Sequence, residues 1–287
     1  MKLALGTVQF GIDYGVANTK GKLDGGSVAS LLAYAKAEGI DLLDTAAAYG
    51  TSESVLGNIG VSEWKCITKI AAMPSNVLNV EEWVAGQINL SLKNLKVPSV
   101  HGLLLHNPCD LLGKFGAEYL STLLDIKKSG LFQNLGFSIY SPHQLEQLTK
   151  IYWPDIVQTP FNVFDQRIKE SGWLEKLSIG GTKVHARSAF LQGLLLMDRD
   201  VRPSFFKKWS EQLSLWDAIL KKHKIRPTDA ALSYVMSQEH FEKVIVGVNS
   251  IQELYQLIQS EFRVIEELAG LSSSEIDLIE PFRWRLK

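Results

Sequence analysis

The sequence predicts an α/β fold, a parallel (β/α)8 TIM barrel, in a single domain spanning residues 1–287. A long loop after strand seven and an extra C-terminal helix are expected as additions. Three observations carry this reading. Eight short apolar runs recur along the chain, segments with helical periodicity separate them, and no Pro/Gly/Ser linker or break in composition divides the whole. Strands alternating with helices form βαβ units with right-handed crossovers, and eight such units close a barrel. The same alternation also permits an open doubly wound sheet.

The runs are LALGT (3–7), DLLDT (41–45), CITKI (66–70), HGLLLH (101–106), NLGFSI (134–139), DIVQT (155–159), KVHAR (183–187) and KVIVGV (243–248). Each is bounded by Gly, Pro, Asn or charge, as strands buried on both faces are. After the first, GKLDGG (21–26) reads as a turn into a helix. In that helix Val28, Leu31, Leu32 and Ala35 follow the i, i+3, i+4, i+7 rule, and it stops at Gly39. Val84, Ile88, Leu92 and Leu95 repeat the pattern after strand three. Ser141-Pro142 with Gln144, and Ser250 with Glu253, are capping-box starts directly after strands. The interval between strands seven and eight is much longer than the others. Its excess, 191–215, holds Asp198-Arg199-Asp200, Pro203 and the aromatics Phe205, Phe206 and Trp209. It reads as a long loop or extra helix on the face where barrel active sites lie, or as a plain surface insertion. Beyond the eighth helix, Ser272 with Glu275 marks one more helix before PFRWRLK.

At 46% hydrophobic and 21% charged, the chain has ample apolar residue for a core, which excludes disorder. Thirty Lys plus Arg against 31 Asp plus Glu leave a net charge of -1, with no run of either sign. No footprint for nucleic acid or an anionic membrane is therefore visible. The opening MKLALGTVQFGIDYG is too broken by glycine to be a secretory segment, and no window reaches 18 apolar residues. The protein is expected to be cytoplasmic. Nothing requires Cys66 and Cys109 to pair. The six histidines show no HxxxH or HExxH spacing, so no metal site is expected, and neither GxGxxG nor a P-loop is present.

In such a barrel, catalytic side chains come from the C-terminal ends of strands. Those ends supply Asp44, Tyr49 five residues later, Lys69 and His106. Singly, each has a plain structural explanation; on three consecutive strands they suggest a proton-transfer site. A free tyrosine, with a pKa of about 10, gives up its proton reluctantly near neutrality. An ammonium about 4 Å away stabilises the phenolate by roughly 4 kcal/mol at an effective dielectric near 20, before desolvation opposes it. A carboxylate such as Asp44 would keep that lysine charged. His106 could then orient a substrate oxygen.

These residues carry a resemblance. GTVQFG (6–11), GIDLLDTAAAYGTSESVLG (39–57), TK (68–69) and LLLH (103–106) are similar to the aldo-keto reductase superfamily. GFS (136–138), VQTPFN (157–162), FLQGLL (190–195) and IVGVNS (245–250) extend the similarity over nearly the whole chain. The resemblance implies a (β/α)8 barrel that reduces a small-molecule carbonyl with NADPH or NADH and without a metal. Asp44, Tyr49, Lys69 and His106 would be its tetrad, with Tyr49 the acid–base. It also implies that the N-terminal hairpin many members use to close the barrel bottom has no room here.

On the cofactor side, Gly6, Thr7, Ser138, Gln158, Arg187, Asn249 and Ser250 fall in the binding set that the resemblance implies. Ser138 and Gln158 match the residues that hold the carboxamide. The Asn that usually follows that serine is Ile139, and Arg187 replaces the aromatic that often stacks on the nicotinamide. Asn249 and Ser250 stand where an Arg or Lys usually meets the 2′-phosphate, so NADH and NADPH remain equal expectations. Arg187 has three open roles: a solvated rim residue, a flat stack on the nicotinamide, or a grip on a substrate carboxylate or phosphate. Two other function classes stay open. One is a Schiff-base lyase using Lys69 as nucleophile; the other is a cofactor-binding sensor or assembly subunit without significant turnover.

Overall fold

The computed structural model describes residues 1–16, 18 and 21–286. Eight parallel strands hydrogen-bond in chain order and close on themselves. They are β1 (Leu3–Gly6), β2 (Leu42–Asp44), β3 (Lys65–Ile70), β4 (Val100–Leu105), β5 (Phe132–Ser138), β6 (Ile156–Pro160), β7 (Lys183–Arg187) and β8 (Phe241–Gly247). The ring closes where β1 pairs with β8, Leu5 opposite Val246 and Gly6 opposite Gly247. All eight expected runs are strands, and closure leaves no edge to protect.

Successive side chains on a strand face opposite ways, so residues two apart share a face. Inside the barrel Ala4, Leu42, Ile67, Leu104, Ile156 and Ile245 form one buried apolar layer. Two residues further along those chains come Gly6, Asp44, Lys69, His106, Gln158 and Gly247. The barrel is therefore greasy in the middle and polar at the mouth. The outward faces of the strands pack on the helices in a second, larger core that includes Leu43, Cys66, Leu103 and Val157. Burying a Val or Leu there contributes about 1.5–3 kcal/mol each.

The helices follow the expected stripes. Gly25–Ala37 buries Val28, Leu31, Leu32 and Ala35, and Asp24 caps it by accepting the Ser27 N–H. Val80–Leu95 buries Val84, Ile88, Leu92 and Leu95 under an Asn79 cap. Ser52–Ile59, Gly116–Lys128, His143–Ile151, Trp173–Ile179, Pro227–Met236 and Ile251–Ile258 complete the ring. None of the described helices is long and apolar enough to cross a membrane. Both cysteines are free, Cys66 being buried.

Three local expectations are corrected. The β7–β8 excess is larger than 191–215 suggested. Short 3-10 turns at Leu191–Leu196, Arg199–Val201 and Ser204–Trp209 lead into a full extra helix, Ser210–His223. The C-terminal helix expected from Ser272 is one turn, Ile276–Ile279; Pro281 follows, and Ser273 rather than Ser272 accepts the Glu275 N–H. At Ser141-Pro142 the cap is half-formed, because Gln144 accepts the N–H groups of Tyr140 and Ser141 while Pro142 stands at the cap.

Candidate active site

Lys69 anchors the site. It is fully buried, and its Nζ donates to both carboxylate oxygens of Asp44 at 2.8 Å, to the Thr45 carbonyl at 2.9 Å and to the Tyr49 hydroxyl at 3.3 Å. Burial alone would discharge this amine, but the adjoining Asp44 charge, the Tyr49 oxygen and their hydrogen bonds outweigh it, and its pKa ends above the ordinary value. Gln158 Nε2 donates to Asp44 Oδ1 at 2.7 Å, so the carboxylate is held from two strands. Because Tyr49 accepts from Lys69, its own O–H is left to donate into the cleft.

Backbone packing fixes where Tyr49 stands. A side chain at Gly11 would place its Cβ 1.7 Å from the Tyr49 carbonyl oxygen, so only glycine lets the Val8–Gly11 turn lie against that loop. Thr7, Thr45 and Ser52 share a buried hydroxyl network that also binds the Asp44 carbonyl. Glu53, buried at the start of the helix after Tyr49, accepts from the Thr68 hydroxyl at 2.6 Å and so ties that helix to β3.

His106 follows β4, with its ring edge-on to Tyr49 at 6.0 Å between centroids. Burial, then the positive charges of Lys69 and Arg187, push its pKa down to about 4. It is a neutral imidazole at pH 7 and can share a hydrogen bond with an uncharged oxygen.

A cleft of about 370 Å³ opens above these groups, a size usual for small-molecule sites. Gly6, Thr7, Asp44, Tyr49, His106, Ser138, Gln158, Arg187 and Asn249 all line it. The structure thus brings together every expected site residue but two. Lys69 lies beneath, reaching the cleft through Tyr49. Ser250 is the N-cap of Ile251–Ile258 and accepts the Glu253 N–H, so its hydroxyl serves the helix. Sequence reasoning missed Gln9, Tyr14, Tyr140, Gln192 and Glu253, which also line the cleft. A Tyr or Gln set among glycines, as in TVQFG and DYG, was the available signal.

Among the described residues, three buried side-chain oxygens have no hydrogen-bond partner: Gln9 Oε1, Gln158 Oε1 and Asn249 Oδ1. All three residues line this cleft, and unsatisfied buried acceptors are costly. They fit a ligand rich in N–H and O–H donors, as the carboxamide and ribose hydroxyls of a nicotinamide nucleotide are.

The chain is thus a parallel eight-stranded (β/α)8 barrel whose C-terminal mouth holds a buried Asp44–Lys69 pair joined to the half-buried Tyr49. The model of the aldo/keto reductase family matches residues 2–277, and the chain belongs to that family. Two solved structures from Pseudomonas aeruginosa share the fold, both provisionally classed as aldo-keto reductases. PA4992 is 24% identical with a TM-score of 0.65, over 90% of this chain and 88% of its own. The second is 23% identical with a TM-score of 0.65, over 90% and 87%. Comparison with curated proteins gives no significant match.

Proposed function

We propose that this chain reduces an aldehyde or ketone to an alcohol at the expense of a nicotinamide cofactor, with Tyr49 as proton donor. Membership of the family supports carbonyl oxidoreductase chemistry in general. The carrying observation is the Tyr49 hydroxyl at 3.3 Å from a fully buried, Asp44-clamped Lys69. Overall, a carbonyl, a reduced nicotinamide and a proton become an alcohol and an oxidised nicotinamide. The bound cofactor supplies the hydride. The carbonyl oxygen lies between Tyr49 and His106. As that oxygen gains negative charge, Tyr49 transfers its proton to it, and the Lys69 ammonium stabilises the phenolate left behind. His106, neutral, aligns the oxygen without competing as an acid. Gln158 and Ser138, neighbours across β5 and β6, would hold the carboxamide of the cofactor.

The β8 corner presents Asn249 and the Glu253 carboxylate, which accepts the Asn249 N–H at 2.8 Å, and among the described residues lining the cleft no cation stands there. A 2′-phosphate at this corner would meet a like charge, which favours NADH. Fluorescence titration tests both points. NADH should bind at least as well as NADPH, or within about tenfold, roughly 1.4 kcal/mol. Binding of neither would remove the cofactor reading.

A Schiff base at Lys69 asks for a neutral, accessible amine. This one is fully buried and held charged, which weighs against the lyase alternative.

A further inference from the structure

Arg187, at the end of β7, does something that carbonyl reduction by itself does not require. Its Cζ lies 4.5 Å from the centroid of the Tyr140 ring, which covers one face of the guanidinium. Nη2 donates to the Ile139 carbonyl at 3.0 Å, and Nη1 reaches the Ser188 hydroxyl at 3.4 Å. The side chain is thus held in place, yet three of its five N–H groups remain uncommitted. Tyr140 is itself fixed, by Arg167 donating to its carbonyl at 3.0 Å and by the Phe282 ring edge-on at 4.8 Å.

Charge is what sets Arg187 apart. Among the described residues no carboxylate forms an ion pair with it, and it is the one Lys or Arg lining the cleft. Asp165, whose carboxylate feels the Arg187 charge, is already engaged by three hydrogen bonds from Arg167, two of them from its guanidinium. Lys69 is neutralised by Asp44, and Glu253 stands at the β8 corner bonded to Asn249. The field of Arg187 reaches the reacting end, because it helps push His106 down and opposes the upward shift of Tyr14. The Tyr14 hydroxyl accepts from Gln192 Nε2 at 3.0 Å, which leaves its own O–H free to donate into the same wall.

A held, half-buried guanidinium with no ion-pair partner among the described residues, lining one cleft with the Tyr14 hydroxyl, Tyr49 and His106, is a receptor for an anion. Stacking on the nicotinamide is the weaker use, since it would set a cation against the positively charged oxidised ring. We propose that Arg187 is a specificity-determining residue that grips a carboxylate or phosphate borne by the carbonyl substrate, with Tyr14 as its second donor. This rests on the reductase reading for the place of the carbonyl, but the anion grip can be measured separately.

Two measurements on the full chain, with NADH present, test it. The first compares kcat/KM for 4-oxobutanoate against butanal, and for glyceraldehyde 3-phosphate against glyceraldehyde, in wild type, Arg187→Met and Arg187→Lys. The second is calorimetric binding of butanoate and butanamide to the same proteins. Wild type should favour at least one anionic member about ten- to hundredfold. Arg187→Met should bring that ratio to within about twofold of unity, because the loss of kcat/KM on the anionic substrate exceeds any change on the neutral one by at least about fivefold, with the cofactor Kd changed less than threefold. Arg187→Lys, which keeps the charge but not the fork, should restore part of the preference and guards against a mere folding defect. The carboxylate and phosphate pairs say which anion is taken. Equal use of charged and neutral partners by wild type, equal losses on both in the variants, or a collapse of cofactor affinity in Arg187→Met would each overturn the grip. Butanoate binding that needs Arg187, without turnover of any aldehyde, would keep the grip and refute the reductase reading.

Discussion

At the scale of single residues the site depends on one buried ion pair whose partners cannot be separated. Lys69 and Asp44 are both buried and satisfy each other, so removing either leaves an uncompensated charge. Lys69→Met should lose activity and also about 3–5 kcal/mol of stability by denaturant unfolding. Asp44→Asn combined with Lys69→Met should recover much of the stability and none of the activity. A single variant as stable as wild type would show that the pair is not desolvated as described. His106 makes a different, pH-linked prediction. Its pKa is about 4 folded against 6.5 for the free side chain, so between those values the unfolded chain binds more protons. The contribution is whole above pH 6.5 and is lost as pH falls toward 4. Asp41, lowered to about 2 against burial by its hydrogen bonds and ion pairs with Lys243 and Lys65, gives way only below 3.8. A His106→Asn variant should therefore show a shallower fall in unfolding free energy between pH 6.5 and 4, with the steeper acid limb unchanged.

At the scale of elements, the extension between β7 and β8 serves the cleft rather than decorating the surface. Its first turn, Leu191–Leu196, brings Gln192 and Gly193 to the wall with Gln192 at φ 53° and Gly193 at φ 95°. The extra helix Ser210–His223 holds that turn through Trp216, fully buried, whose Nε1 donates to the Leu195 carbonyl at 3.1 Å. Trp216→Ala should cost about 3–5 kcal/mol and raise substrate KM with little change in Tyr49 chemistry. A stable variant with unchanged KM would return the extension to the surface. An extra helix was one of two expectations here, but its bounds were not legible, because of its 14 residues only Leu213 and Trp216 are buried, too thin a stripe to read as a period. The strands were legible for the opposite reason. Covered on both faces, they become unbroken apolar runs. Val80–Leu95 likewise wrote its stripe plainly.

At the scale of the whole molecule, closure of the barrel turns eight local facts into one site. Asp44, Lys69, His106 and Gln158 each stand two residues beyond an inward apolar residue, and the ring sets them side by side at the mouth. That much of the site was readable from strand ends alone. Tyr14, Tyr140 and Gln192 were not, because they reach the cleft on loops whose course depends on tertiary packing. Ser250 caps its helix as the spacing to Glu253 predicts, its hydroxyl accepting the Glu253 N–H. At the opposite end of the barrel Asp41 joins Lys65 at 2.7 Å and Lys243 at 2.6 Å, so the strands are tied together away from the chemistry.

The central claim is that a Lys69-supported Tyr49 hydroxyl gives the proton to a carbonyl reduced within this barrel. It is tested most directly by single-turnover oxidation of bound NADH on mixing with an aldehyde, in wild type and Tyr49→Phe. Tyr49→Phe should lose about 10²–10⁴-fold in the rate of that step, with the cofactor Kd changed less than twofold, since the ring stays and only the donor goes. A Tyr49→Phe rate within a few-fold of wild type would contradict it.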